Sequence, residues 1–420
     1  MQLENIFKKM ASLFSFEVII GVSNFCAAII LARELGLVMF GIWGLIMLTL
    51  GYGEAFGRLK VDLASVHVLS KNKYSPQEIL SSVNLITLFS STFVFSLVFL
   101  FSDLVFELLL KEGAAKVSDS LYMLGLIFFL QNYFFNYLYM NLALQRTTMF
   151  GFYNMLRSLL FLIGVLLLQA LDTLNLVNIL TSLAFSFITI LVVMIIDFHL
   201  KHGKPVLPQH VLNLSLLKKG WNYYFLGITS QINFSVVLII ASQYLTGANI
   251  GVFYTAKSLS DLFYSRLASA ASGILYPLIS NMEGGTKEKK AITVSVYIRV
   301  SLLFVACYFL LFFNWDFLVI VLYGAEYQKV GEIMNYLGVG SVVYFSTTLL
   351  VAYLGGTGTE IFAVIPHLLS IILQMITILF FITEVSLLSL SLLYVFSFTT
   401  SSLLLLIIFF IHKEKKPIDV

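Results

Sequence analysis

Long apolar runs alternate with short polar connections along the whole chain, and that pattern sets the fold class. The runs fall at about 12–32, 39–57, 82–101, 119–140, 149–170, 174–197, 221–244, 250–278, 291–313, 331–353, 361–382 and 386–411. Most approach the ~20 residues that a helix rising ~1.5 Å per residue needs to cross a hydrocarbon core of ~30 Å. The pattern predicts an all-α polytopic membrane protein with about twelve transmembrane helices. The run at 250–278 suits either one tilted helix or a broken one.

Composition sharpens this picture by exclusion. Of 420 residues, 59% are hydrophobic and 11% charged. A soluble domain carries about 25% charged residues, so this chain lacks the polar surface to face water, and no soluble domain is expected. Cys26 and Cys307 lie inside apolar runs and read as small packing residues, not as a disulfide. The first run is too long for a cleaved signal peptide and is followed by Arg33 and Glu34 where a small-residue cleavage site would belong.

The charges that remain fall unevenly. With the N-terminus inside, the cytoplasmic connections hold Lys8, Lys9, Arg58, Lys60, Lys71, Lys73, Arg146, Lys201, Lys204, Lys218, Lys219, Lys287, Lys289, Lys290, Lys413, Lys415 and Lys416. The opposite side holds Arg33, Lys111, Lys116 and Lys329, so the bias is 17 against 4. Such an asymmetry predicts both termini in the cytoplasm.

The longest polar connection between runs, 198–219, carries Pro205, Pro208 and four lysines. It predicts a cytoplasmic linker between a six-helix bundle at 1–197 and a second at 220–420. The halves echo one another. RELGLVMFGIW (33–43) parallels SQYLTGANIGVFY (242–254), LLKEGAAKVSDSLYMLGL (109–126) parallels VLYGAEYQKVGEIMNYLGV (321–339), and LQRTTMFGFYNMLRSLL (144–160) parallels GTGTEIFAVIPHLLSII (356–372). An even number of spans per half makes the repeats parallel, the arrangement of transporters whose substrate path runs between the halves. A central cavity is therefore expected.

Charges within the apolar runs are the candidate functional residues, because a charge at mid-bilayer is costly unless it faces a bundle interior or a wet chamber. The basic ones are Arg58, Arg157, Lys257, Arg266 and Arg299; the acidic ones are Glu17, Glu54 and Asp261. The basic excess suits an anionic cargo. Tyr254, Lys257, Asp261 and Tyr264 recur at three- and four-residue spacing and share one helix face. Lys257 and Asp261 are placed to neutralise each other, which leaves Arg266 without an obvious partner on its own helix and available to an anion. Glu54 is four residues before Arg58 and can pair with it, so Arg58 reads equally as a snorkelling or a cavity-lining arginine. Arg157 and Arg299 lie about ten residues into their runs, within snorkelling distance of the interface. Glu17 and Asn24, seven residues apart on one face, form a candidate ion-coupling site, or else Glu17 counters Arg58. Gln131, Asn132, Asn136 and Asn141 either line a wet path or bind neighbouring helices together. No metal-ligand spacing, phosphate loop, nucleophile triad or cofactor motif is present, and no enzyme or nucleic-acid-binding activity is expected.

LARELGLVMFGIWGLIML (31–48), its echo GANIGVFYTAKSL (247–259) and YGAEYQ (323–328) resemble the polysaccharide-exporter branch of the multidrug/oligosaccharidyl-lipid/polysaccharide superfamily, which includes the Wzx-like O-antigen flippases. The resemblance spans essentially the whole chain. It implies alternating access in a bacterial inner membrane. The cargo it implies is an undecaprenyl-pyrophosphate-linked oligosaccharide of an O-antigen, capsule or exopolysaccharide, loaded from the cytoplasmic leaflet. It also implies cavity walls made by the first, second, seventh and eighth helices, which favours Arg58, Lys257 and Arg266 and counts against Arg299. Partners implied are the bilayer itself and the polymerase and chain-length machinery. Two rivals stand beside it. A cation-coupled multidrug exporter of the same superfamily should concentrate acidic residues in its lumen, and a polysaccharide polymerase should carry a larger outer loop than 102–118 or 314–330.

Overall fold

The computed structural model describes residues 2–69, 74–102, 121–208, 210–282, 285–312, 314–381 and 385–412. Side chains are described from residue 15 onward, apart from those at 67, 210, 211, 234, 261, 263, 266, 267, 270, 274, 277, 280, 281 and 381. Lys71, Lys73, Lys111, Lys116, Lys413, Lys415 and Lys416 lie outside the described residues, as does the start of the 109–126 repeat segment, and the side chains of Lys8 and Lys9 lie outside those described.

Every regular element among the described residues is helical. Besides two short 3-10 helices, Ala325–Tyr327 and Glu360–Ala363, they are in chain order α1 (Gln2–Arg58), α2 (Val61–Leu69), α3 (Pro76–Leu100), α4 (Leu121–Ala143), α5 (Thr147–Ala170), α6 (Leu176–His202) and α7 (His210–Tyr244). There follow α8 (Gly247–Asn281), α9 (Thr286–Phe312), α10 (Trp315–Tyr323), α11 (Lys329–Gly356), α12 (Val364–Phe381) and α13 (Leu387–Ile411). Helix is the expected answer for an apolar chain, because hydrocarbon offers no partners and each backbone N–H and C=O must be satisfied within its own segment.

Each of the twelve apolar runs is helical over most of its described residues; 101, 174–175 and 386 at run ends lie outside helix, and 361–363 form part of a 3-10 turn. Among the described residues, nine helices have the length and composition to cross a membrane when Ser15–Arg58 is counted once, and Leu212–Asn233 with Ser235–Tyr244, bent by 40°, makes a tenth. At 44 residues, Ser15–Arg58 is about 66 Å along its axis, roughly twice a hydrocarbon core. It is interrupted at Gly36, whose φ of 68° and ψ of 171° place it outside helical space. The expected connection at 33–38 therefore shrinks to a single non-helical residue, one that only glycine adopts without strain. The 250–278 run resolves as one uninterrupted helix of 35 residues, α8.

Short polar signals end the helices. Ser75 forms a capping box with Glu78 and precedes Pro76 at the first turn of α3; Ser386 with Ser389 does the same for α13. Asn175 caps α6, and Gly203 at φ 89° ends it. Within the 198–219 segment, 203–208 is non-helical; the rest belongs to α6 or α7, with residue 209 outside the described residues.

The chain divides into two compact units, Met1–Ile228 and Thr229–Val420. In the first, α1 packs on α3, α4 and α5, and α4 packs on α2, α3, α5 and α6. Trp43 stacks on Phe161 at 6.2 Å, and Phe134 meets Phe187 edge-on at 5.4 Å. Gly57 brings α1 against α4, where a Cβ would come within 2.3 Å of Asn132 Nδ2 and 2.8 Å of the Phe128 ring.

In the second unit, α11 is the central element. It packs on α8, α9, α10 and α13, and 72% of its apolar window is buried, against 6% for α9 at the periphery. Its buried hydroxyls are answered internally: Ser346 donates to the Val342 carbonyl at 2.6 Å and Thr347 shares a hydrogen bond with Ser402 at 2.9 Å. Tyr264 of α8 sits fully buried, edge-on to Phe304 at 5.5 Å. Cys26 and Cys307 are free.

Candidate functional site

In the first unit the candidate cations are held by their own chain. Arg58 closes α1, and the left-handed residues Leu59 (φ 48°) and Lys60 (φ 53°) turn the chain into α2. That turn sets Asp62 one helical step beyond Arg58, so the guanidinium is clasped on one side by Asp62 and on the other by Glu54. Arg58 and Asp62 are each 1% exposed. The guanidinium also lies over the Phe135 ring at 4.4 Å and within 5.7 Å of Tyr139, both on α4. Gln131 donates to Glu54 at 2.9 Å, and Lys60 stands 3.8 Å from the same carboxylate. Two cations and two carboxylates leave the cluster formally neutral. Burial, then the charge of Arg58, pushes Lys60 down to about 8, with Asp62 acting in the opposite sense.

The amides of α4 serve this same packing. Asn132 is fully buried and donates to Ser91 at 3.0 Å; Asn136 donates to Asn84 and Thr87, each at 3.0 Å. They join α4 to α3 by hydrogen bonds. Glu17 is part-buried, and its charge, with those of Asp62 and Arg58, reaches the Tyr139 hydroxyl; Asn24 is part-buried on the same helix. Arg157 sits over the Phe187 ring at 4.9 Å and donates to Ser158 at 3.2 Å. Arg146, the residue before α5, and Lys201 of α6 share Asp197 at 2.6 Å each and so mark one end of this unit.

In the second unit, Lys257 lies on α8 with 8% exposure, about 15 Å along the helix from Gly247. Tyr254 is part-buried one turn before it, and Tyr264 belongs to the core. Asp261 and Arg266 are on the same helix, but their side chains lie outside those described. Arg299 is exposed on the peripheral helix α9.

A further polar cluster in this unit is absent from the sequence candidates. His367 on α12 is 2% exposed; its Nδ1 is 3.2 Å from Ser401 Oγ of α13 and 3.4 Å from Asn233 Nδ2 of α7. Gln374 donates to Asn233 Oδ1 at 2.7 Å and also to Ser397, which itself donates to Asn233 Oδ1 at 3.1 Å. Ser370 donates to the Ser397 carbonyl at 2.9 Å. The signal that could have found it is the spacing of His367, Ser370 and Gln374, which puts three polar residues on one face of an otherwise apolar helix. Among the described residues, no group of three or more His, Cys, Asp or Glu is placed to hold a metal.

An all-helical chain with bilayer-length apolar helices and buried charges within them defines a multi-pass membrane protein. The chain belongs to the family described as polysaccharide biosynthesis protein, which matches over residues 30–332. No curated protein sequence matches it. Solved structures share the fold at low identity. One is a lipid II flippase, MurJ, in an inward closed conformation, with a TM-score of 0.74, 18% identity, 94% of this chain and 87% of that chain covered. Another is an inward-facing multidrug resistance MATE family transporter of the MOP superfamily, with a TM-score of 0.73, 12% identity and coverage of 96% and 97%. A third is a MOP superfamily transporter from Pyrococcus furiosus whose binding pocket is described as having reverse polarity, with a TM-score of 0.69, 12% identity and coverage of 96% and 94%. The fold is that of the MOP superfamily transporters.

Proposed function

We propose that this protein is a flippase for oligosaccharides carried on undecaprenyl pyrophosphate, moving an O-antigen, capsule or exopolysaccharide repeat from the cytoplasmic to the outer leaflet of a bacterial inner membrane. The observation that carries the reading is membership of a polysaccharide biosynthesis family by a chain with a transporter fold. The physical need for such a protein is plain. An unassisted pyrophosphate and its sugar hydroxyls would meet hydrocarbon at a cost of many kcal/mol, which a polar path removes. Lys257, held at low exposure well inside α8, is the residue assigned to the pyrophosphate, with Tyr254, Asp261 and Arg266 on the same helix as the other members of the site. Arg58, already clasped by two carboxylates, is assigned a structural part, so that α8 carries the anion contact. The protein makes and breaks no covalent bond in this scheme; it exposes the site alternately to each leaflet. A membrane potential of ~100 mV, inside negative, favours outward movement of two negative charges by about 4.6 kcal/mol.

Deleting the gene tests the reading. Undecaprenyl-linked repeat units should accumulate on the cytoplasmic leaflet, out of reach of an outer-leaflet probe. Unpolymerised units accumulating on the outer leaflet would instead identify a polymerase. Because a MATE transporter has the same fold, the deletion strain is also compared for retention of cationic dyes, which should equal that of the parent.

A further inference from the structure

The buried cluster around His367 has a property that its individual bonds do not reveal. Asn233 and Gln374 are carboxamides, and each presents an oxygen and an NH₂ at nearly the same radius. In the arrangement described, Asn233 Nδ2 faces His367 Nδ1, which must then be an acceptor, with the neutral imidazole carrying its proton on Nε2. Gln374 Nε2 faces Asn233 Oδ1, and Gln374 Oε1 is left buried without a hydrogen-bond partner. Gln374 is fully buried, so that oxygen is an unanswered acceptor in an apolar helix bundle.

Rotating both amides by half a turn gives a second arrangement with the same heavy-atom positions. His367 Nδ1–H then donates to Asn233 Oδ1, Asn233 Nδ2 donates to Gln374 Oε1, and Ser397 Oγ, already in contact with Gln374, donates to that same oxygen. The unanswered acceptor is satisfied, and the unpaired atom becomes an NH₂. Each arrangement leaves one amide group unpaired, so neither is strongly preferred on hydrogen bonding alone. With His367 Nε2–H kept, the second arrangement carries one proton more than the first, on Nδ1, and the ring is then an imidazolium.

We propose that His367, with Asn233, Gln374 and Ser397, is an exchangeable proton-binding site that couples the lipid movement proposed above to proton entry. It rests on that reading for the cargo but not for the proton. The charged form finds no compensating carboxylate: no charged side chain among the described residues acts on His367. Of the elements packed around it, α11 offers Tyr344, whose ring lies 6.3 Å away; α13 offers Ser397 and Ser401, and α7 offers Asn233, none of them charged. An imidazolium in this closed setting is costly, and the cost falls wherever water reaches it. The proton therefore binds open and closed forms of the site with different affinity, the condition for a ligand to drive a conformational change.

Two measurements test this independently of each other. In a variant that keeps His367 as its only histidine, ¹⁵N NMR of the imidazole in lipid bilayers should pass from the Nε2–H neutral tautomer to the doubly protonated form as pH falls. A single neutral form across the range in which the protein stays folded overturns the site, whatever the cargo. In proteoliposomes loaded with a fluorescent undecaprenyl-pyrophosphate oligosaccharide, a gradient of about one pH unit can change the translocation rate by up to roughly tenfold through a one-proton step. In His367→Gln the ratio of rates with and without the gradient should fall to about one. Translocation by the wild type with no response to the gradient, or a His367→Gln protein with the wild-type ratio, removes the proton site and leaves the flippase standing. No translocation by the wild type, with a normal imidazole titration, removes the flippase and leaves the site.

Discussion

Arg58 and Asp62 belong to different helices, yet they meet as a one-turn ion pair with each side chain 1% exposed, because the left-handed turn at Leu59 and Lys60 carries the chain over the break. Removing one member of such a buried pair leaves an uncompensated charge, which costs about 3–5 kcal/mol. Asp62→Asn and Arg58→Met should each lower thermal stability in detergent and reduce the amount of protein in the membrane. The double variant Arg58→Met/Asp62→Leu should recover part of the loss. A wild-type melting curve for Asp62→Asn would show that the clasp does not stabilise this unit.

Lys60 gives a pH signature. Its folded value near 8 lies below its ordinary value of 10.5, so the folded protein surrenders a proton that the unfolded chain still holds between those limits. Stability should therefore rise with pH across that window, and the penalty of carrying the charge is fully present below it. Differential scanning of the wild type and Lys60→Met from neutral pH upward should show this rise as the difference between them. Parallel curves would exclude a depressed lysine.

Gly57 should tolerate no side chain. A Cβ there meets Asn132 Nδ2 and the Phe128 ring well inside contact distance, and overpacking of this kind costs about 1–3 kcal/mol. Gly57→Ala should lower the melting temperature, and Phe128→Leu in the same chain should restore part of it. If Gly57→Ala melts with the wild type, α1 and α4 do not pack this closely.

Lys257 and Arg299, one buried and one exposed, should behave oppositely. Arg299→Ala on α9 should leave surface polysaccharide at the wild-type level. Lys257→Met on α8 should abolish it with protein level unchanged, while Lys257→Arg keeps the charge and a measurable fraction of export. Export that survives Lys257→Met would move the anion contact elsewhere.

What depends on neighbours along the chain is legible in the sequence. Helix positions follow from the apolar runs, and the Glu54–Arg58 pair follows from a four-residue spacing. The pairing of Asp62 with Arg58 is not legible, because it requires two non-glycine residues at positive φ, a conformation that Leu59 and Lys60 do not advertise. The amides of α4 are ambiguous for a similar reason: whether Asn132 lines water or meets Ser91 depends on α3, more than forty residues away. His367, Ser370 and Gln374 mark a polar face on α12, but the site itself is not legible, because Asn233 on α7 and Ser401 on α13 are joined to that face by no local spacing.

The position of α11 at the heart of the second unit carries a consequence for how the protein is made. The ribosome delivers α8 and α9 before α11, the helix on which both pack, has been synthesised. During that interval Lys257 and the buried hydroxyls of α8 wait in the bilayer or the insertion machinery without their final neighbours. Biogenesis of this half should thus lean on chaperoned insertion, and truncation before residue 329 should leave a species marked for membrane-protein quality control.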